Sequence, residues 1–253
     1  MAVWLALIFD APLMSFGGPM IDQHGVTRDM PGRAMLTGLL GNALGYDHRE
    51  ADKLEKLQSR LVHATLSLRP GDRFTDFHTV DLGQPFLRAG WTTRGIPQGR
   101  EGGTAATGTH IRYRQYLASA LRLVVLTLDP AAESPTIEEL GNAVEQPARP
   151  LFLGRKTCLP ARPILAGRFE AGDPVSALME GHSLILPQLE NEPGDLADLR
   201  AEWPLPTGTS QAPLGCRIET VIDMRDWSNQ FHGGERLVAL GLLPISHRRG
   251  VDG

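Results

Sequence analysis

Two apolar runs, Val3–Phe9 and Leu121–Leu128, set the strongest limit on how this chain can fold. Both have the length of a strand and are rich in β-formers, the pattern of strands buried inside a sheet, and the faces of that sheet must then be covered. The first run ends in Asp10–Pro19, a loop punctuated by Gly and Pro. A helix is expected from about Arg33 to Leu44, with Met35, Leu36, Leu39, Leu40 and Ala43 on one side and Gly45 as its stop. Ala34, Gly38 and Gly41 would let that helix lie close on a sheet. A charged helix over Arg49–Arg60 follows, then a strand over Leu61–Leu68 and a more weakly patterned one over Arg73–Leu82.

From Gly83 to Thr109 no periodicity stands out, and a stretch this long inside a compact domain is usually functional or mobile. Arg114–Ala120 reads as a helical turn. Thr136–Glu145 reads as an amphipathic helix opened by Ser134-Pro135. Pro147, Pro150, Pro160 and Pro163 confine the next stretch to extended segments and turns. Asp173–Met179 reads as a short helix, Glu190–Pro213 as a polar excursion, and Arg217–Met224 and Arg236–Leu242 as late strands. The order predicts an α+β protein on a ferredoxin-like βαββαβ plan with insertions, spanning residues 1–188. A smaller C-terminal β-rich region, 189–253, packs on that body.

The net charge of -4 over 253 residues points to no polyanion partner, but the charge is unevenly spread. Between Arg149 and Arg168 lie Arg149, Arg155, Lys156, Arg162 and Arg168 with no acid. Between Arg88 and Arg122 six arginines face the single Glu101. The acids gather in Asp129–Glu145 and Glu190–Glu202 instead. Such separation gives a basic face to a mildly acidic protein, although an ordinary solvated surface shows similar runs. Cys158 and Cys216 are too few for a disulfide framework or a cysteine zinc site. Met-Ala-Val-Trp carries no basic leader, and no apolar run approaches the ~20 residues that cross a bilayer, so a cytoplasmic protein is expected.

Enzyme signatures are missing: no GxxxxGK[ST], no GxGxxG after a strand, no HExxH and no GxSxG. The eight histidines are scattered singly, so neither a metal nor another cofactor is expected. His78 shares a strand face with Asp76, which fits a general base in RNA cleavage but fits better a histidine satisfied by its neighbour. The block Thr27–Arg33 sets Arg28 and Arg33 at the start of the first helix, where unpaired N–H groups and arginines would seat a phosphate. Gly154-Arg155-Lys156-Thr157-Cys158 offers two cations and a hydroxyl in a Gly/Pro frame suited to an RNA backbone. Trp91, with Arg94 and Arg100, stands in the 83–109 stretch and would either stack on an unpaired base or cover the loop's own small core.

These blocks together carry a resemblance. Gly17-Gly18, Thr27-Arg28, Gly32-Arg33 and Thr37–Gly45 come in the order and spacing of the CasD family of type I-E Cascade subunits. So do Asp76–Val80, Arg114–Ala120 and Phe152–Cys158 with Pro160 and Pro163. That family is a RAMP-type group of CRISPR-associated proteins. The resemblance implies a modified ferredoxin-like (RRM) fold with a long thumb hairpin, about Gly83–Ile111. It implies a non-catalytic subunit that holds the 5′ handle of the CRISPR RNA (crRNA). Its partners would be that RNA, a backbone RAMP subunit and a large subunit, with antiviral target DNA reached only through the complex. Carried over by motif, Thr27, Arg28, Arg33 and Gly154–Cys158 would contact the handle, and Arg94, Arg100, Arg112 and Arg114 would serve the thumb and its root. His78 and Trp91 complete the candidate RNA contacts. A related type I-C subunit cuts repeat RNA, and an enzyme of that kind here would use His78 or His110, assisted by Tyr113 or Lys156. A small-molecule enzyme has only the glycine content in its favour.

Overall fold

A computed structural model describes residues 1–18, 22–81, 89–91, 97–99, 108–189, 198–206 and 215–244. In chain order its strands are β1 (Ala2–Asp10), β2 (Leu13–Met14), β3 (His24–Gly25), β4 (Leu61–Arg69) and β5 (Asp72–Asp81). There follow β6 (Ala89–Trp91), β7 (Pro97–Gly99), β8 (Thr109–Ala118), β9 (Leu121–Leu128) and β10 (Leu165–Ala171). The last are β11 (Asp198–Pro204), β12 (Arg217–Val221), β13 (Arg225–Asp226), β14 (Phe231–His232) and β15 (Arg236–Pro244). The helices are α1 (Arg33–Ala43), α2 (Ala51–Arg60), α3 (Ile137–Glu145) and α4 (Pro174–Ile185). None of them is long and apolar enough to cross a membrane.

The main sheet runs β10-β1-β9-β4-β11-β15-β12, antiparallel at every step. Its first four strands have the ferredoxin-like order, with α1 and α2 crossing from β1 to β4 and α3 crossing from β9 to β10. The two apolar runs of the sequence are the neighbours β1 and β9, and every residue of β9 is buried. Leu5, Leu7, Phe9, Val124 and Leu126 face α1 and α3 in one core. Trp4, Ala6, Ile8, Leu123 and Val125 face α4 in the other. Gly41 lets α1 approach α2, since a Cβ there would stand 2.6 Å from Leu54 Cδ2.

Several expectations need correction. Arg114–Ala118 is strand, and Ser119 and Ala120 follow it as a bend, not a helix, because β8 pairs with β5 along its whole length, from Asp72↔Ala118 to Asp81↔Thr109. The cap of α3 is Thr136 in a reciprocal capping box with Glu139, not Ser134. The helix begun at Asp173 runs on to Ile185, capped by the Asp173 carboxylate and opened by Pro174. The polar excursion contains β11, which carries Leu199, Ala201 and Trp203 into the second core. β10 had no counterpart in the sequence reading. The late strands continue the main sheet edge to edge beyond β4.

A buried charge cluster joins those late strands to the body. Arg236 on β15 reaches its Nη2 to Asp223 Oδ2 at 2.7 Å, Glu202 Oε1 at 2.9 Å and His63 Nε2 at 3.1 Å. The acceptor atoms of His63, Glu202 and Asp223 lie within 4.8 Å of one another, a spacing that would suit a metal ion. A guanidinium nitrogen fills that position. Arg28 adds contacts of 3.2 Å to Glu202 and 3.2 Å to Asp223. Burial works to raise the Asp223 carboxyl, but Arg236 first and Arg28 after it outweigh that and hold it at about 2. Burial, helped by Arg236, pushes the His63 imidazole well below its ordinary 6.5, so the ring is neutral.

Removing Arg236 leaves two carboxylates buried with a single close cation. Arg236→Met should therefore cost about 3–5 kcal/mol in urea unfolding. Arg217→Met, at an exposed pair with Glu219, should cost less than about 1 kcal/mol. The pH dependence follows from His63. A folded pKa below the unfolded 6.5 means that the unfolded chain binds the proton first, so this contribution is intact above 6.5 and is lost as pH falls below it. Glu202, raised by burial, acts in the opposite sense, so the effect is read as a difference between proteins. Between pH 7 and 5, wild type should lose more stability than His63→Gln, by up to about 1.4 kcal/mol per pH unit.

Candidate nucleic-acid interface

The second basic block forms a tight turn beside β2. Leu153 N–H donates to the Cys158 carbonyl at 2.8 Å, Cys158 N–H to the Arg155 carbonyl at 2.8 Å, and Ser15 N–H to the Leu153 carbonyl at 3.1 Å. Gly154 holds φ at +105°, and a Cβ there would overlap the Ser15 carbonyl oxygen. Only glycine fits. Arg155 points inward: its Nη1 donates to the Gln115 carbonyl at 2.7 Å and its Nη2 to Gly25 at 3.0 Å. Its guanidinium also lies 4.6 Å from the Tyr116 ring centre. Lys156 and Thr157 are exposed at the tip. Cys158 belongs to the core, where burial raises its thiol, so its side chain is a packing group rather than an RNA contact.

The first block is placed differently from expectation. Thr27 is buried, and its hydroxyl accepts from Phe16 N–H at 3.0 Å and donates to the Arg28 carbonyl at 3.2 Å. Arg28 is spent on Glu202 and Asp223. The start of α1 is already seated on an anion from inside the molecule: Arg33 N–H donates to Asp223 Oδ2 at 3.1 Å, and Ala34 N–H to the Asp223 carbonyl at 2.7 Å. The side chain of Arg33 is half-buried, with its buried Nε unpartnered. An internal carboxylate thus takes the place that the sequence offered to phosphate. Arg122, lowered to about 10 by burial, holds the same loop through the Asp29 carbonyl at 2.9 Å, while the Asp29 carboxylate takes Arg73 at 2.7 Å.

These two blocks meet at a cleft of about 650 Å³. The loop after β2 gives Phe16 and Gly17, α1 gives Met35 and Leu39, and the turn gives Phe152, Gly154 and Lys156. The segment after β12 closes it with Ile222, Asp223, Arg225, Trp227 and His232, none of which the sequence reading singled out. The available signal was the alternation of charge with an aromatic over Asp223–Trp227, directly after a strand. Trp227 is fixed by its indole N–H to Gln58 Oε1 at 3.2 Å, with Arg225 at 5.3 Å from its ring centre.

The hairpin stem holds the remaining candidates. His78 pairs with Asp76 on an exposed face of β5, the satisfied arrangement that the sequence favoured. Arg112 stands opposite His78, Arg114 opposite Asp76, and His110 opposite Val80, so all lie on that one face. Tyr113 is on the other, stacked on His24 with ring centres 5.0 Å apart. The ladder thus separates Tyr113 from the two histidines that a nuclease would pair it with. Trp91 lies on β6, opposite Pro97 of β7. Arg94 and Arg100 fall outside the described residues, as does most of the expected thumb.

A family profile described as "CRISPR-associated protein (Cas_Cas5)" matches residues 4–239. The chain belongs to this family. Among curated members, the CRISPR system Cascade subunit CasD of Escherichia coli (strain K12) is 31% identical over 187 residues, covering 71% of this chain and 77% of that protein. Of solved structures, a chain of a CRISPR RNA-guided surveillance complex aligns with TM-score 0.66 at 20% identity, covering 96% of this chain and 90% of that one. A crystal structure of a Cas protein aligns at 0.58 and 22%, covering 95% of each. The two structures establish the fold, and the family profile reaches past the body into β15.

The Gly154 turn offers a direct check on how the second basic block is built. Gly154→Ala should lower stability by about 2–4 kcal/mol, combining a forbidden φ with backbone overlap. Gly172→Ala, where a Cβ meets nothing within 4 Å, should melt within a degree or two of wild type.

Proposed function

We propose that this chain is a non-catalytic subunit of a type I-E Cascade complex, that it binds crRNA, and that it caps the 5′ handle at the cleft. One observation carries the reading: the Thr27–Arg33 and Gly154–Cys158 blocks border one cleft, with the exposed Lys156 at its rim. Lys156 at its rim has no ion pair among the described residues and is free to meet a phosphate. Arg112 and Arg114 on the stem extend the contact towards the thumb. The partners are crRNA and the neighbouring Cascade subunits, with target DNA engaged through the assembly in the cytoplasm. Affinity comes from phosphate contacts, and selectivity from handle shape and splayed bases.

The test is fluorescence anisotropy with labelled crRNA bearing the handle, against the same RNA with the handle permuted. It is run on the chain and on the complex assembled with its partner subunits. Binding should prefer the native handle and weaken with salt, at roughly 0.7 in log K per log salt for each phosphate neutralised. A flat salt response or indifference to the handle would sink the reading. The RNA should stay intact in EDTA, unchanged by His78→Ala or His110→Ala; cleavage lost in either variant would make the chain a nuclease.

A further inference from the structure

We propose that Arg73 and Arg200 form a phosphate site outside the cleft, which takes a phosphodiester of a bound nucleic-acid strand, and that the Asp29 carboxylate stands in for that phosphate in the free protein. The inference rests on the RNA-binding reading and adds a contact on another part of the surface. Arg73, near the start of β5, donates from Nη2 to Asp29 Oδ1 at 2.7 Å and from Nη1 to the Thr27 carbonyl at 3.0 Å. Arg200 on β11 brings its Nη2 to 3.7 Å from Asp29 Oδ2, an ion pair too long for a hydrogen bond. Beneath them the buried Arg122 donates to the Asp29 main-chain carbonyl at 2.9 Å. Three guanidiniums therefore meet at one carboxylate-bearing residue. Glu202, on the same face of β11 as Arg200, is buried and committed to Arg236 and Arg28.

The local charge is left positive where solvent can reach it, since the side chains of Arg73 and Arg200 are 51% and 56% exposed. Arg122 registers the imbalance: burial lowers its guanidinium, Asp29 offsets part of this, and Arg200 adds to it. Asp29 offers one carboxylate oxygen to each surface arginine. The two unesterified oxygens of a phosphodiester bridge a pair of guanidiniums in the same way, because the planar fork of arginine suits phosphate as it suits carboxylate. The fold has little need of the Asp29 charge. Exposed ion pairs add little stability, and this loop is already held through its main chain by Arg73 and Arg122. Arg28 lines the cleft, whereas Asp29, Arg73 and Arg200 do not. Guide RNA and target DNA both carry the phosphodiester, and the test separates them.

The experiment uses the chain in its assembled complex, with anisotropy of labelled crRNA in one arm. In the other arm the RNA-loaded complex meets labelled single-stranded DNA complementary to the guide. Asp29→Asn removes the competing charge and should tighten binding several-fold in the arm whose strand supplies the phosphate. Replacing both arginines, Arg73→Gln with Arg200→Gln, should weaken that arm about tenfold and lower its salt slope by about 0.7, the share of one phosphate on a single strand. In the triple variant the gain from Asp29→Asn should vanish. All these changes fall on half-exposed pairs, so melting should stay within about two degrees of wild type. A clamp that only steadies the loop predicts the opposite sign, with Asp29→Asn weakening binding as the arginine variants do. That result, or no change in either arm, overturns the proposal, and the RNA-binding reading stands if wild type still prefers the native handle. If wild type binds neither strand, both fall.

Discussion

The late strands of this protein meet its ferredoxin-like body around one buried guanidinium. Arg236 sits among His63, Glu202 and Asp223, three groups that repel or strand one another without a cation between them. Its contacts draw together β4, β11, β15 and the segment after β12. A buried charge network is expensive to assemble and weak as a source of net stability, but it is unforgiving of misplacement. Here that property fixes the register of the late strands against the body. It also fixes Asp223, and through Asp223 the start of α1 and one wall of the cleft.

The same network explains why the most recognisable block of the sequence misleads about contact. Thr27–Arg33 has the residue types of a phosphate site, and α1 does begin there. The groups that satisfy Arg28 and the α1 N–H donors are Glu202 and Asp223, about 170–195 positions further on, and no local spacing reveals them. Thr27, Arg28 and Asp29 are instead a junction, pulled by β8, β9 and β11 at once. A recognisable pattern can therefore mark a buried junction, while the far wall of the cleft comes from a segment with plainer sequence.

How legible each part was follows the same division between local and distant causes. β1, β9, α1, α2 and α3 could be read directly, because continuous apolar runs and helical periodicity are local signals. β8 looked helical because Tyr116 and Leu117 are both buried, on opposite faces of a strand that enters the core; only its pairing with β5 settles the matter. β11 was hidden by the acids around it, since Glu202 counts as surface until Arg236 is known to stand beside it. Gly154 and the turn it permits were visible as a Gly/Pro frame, whereas the inward aim of Arg155 was not, being fixed by the carbonyls of Gln115 and Gly25.

The seating of α1 on Asp223 also gives the protein an order of assembly in time. The body's four strands and its first three helices are encoded before residue 172, so on a ribosome they can collapse early. The cleft cannot form with them. Its last wall and the cation that steadies that wall come from Asp223 onward and from β15. A nascent or prematurely ended chain would carry the Thr27–Arg33 and Gly154–Cys158 blocks and yet lack a finished cleft. The cleft is thus tied to completion of the chain.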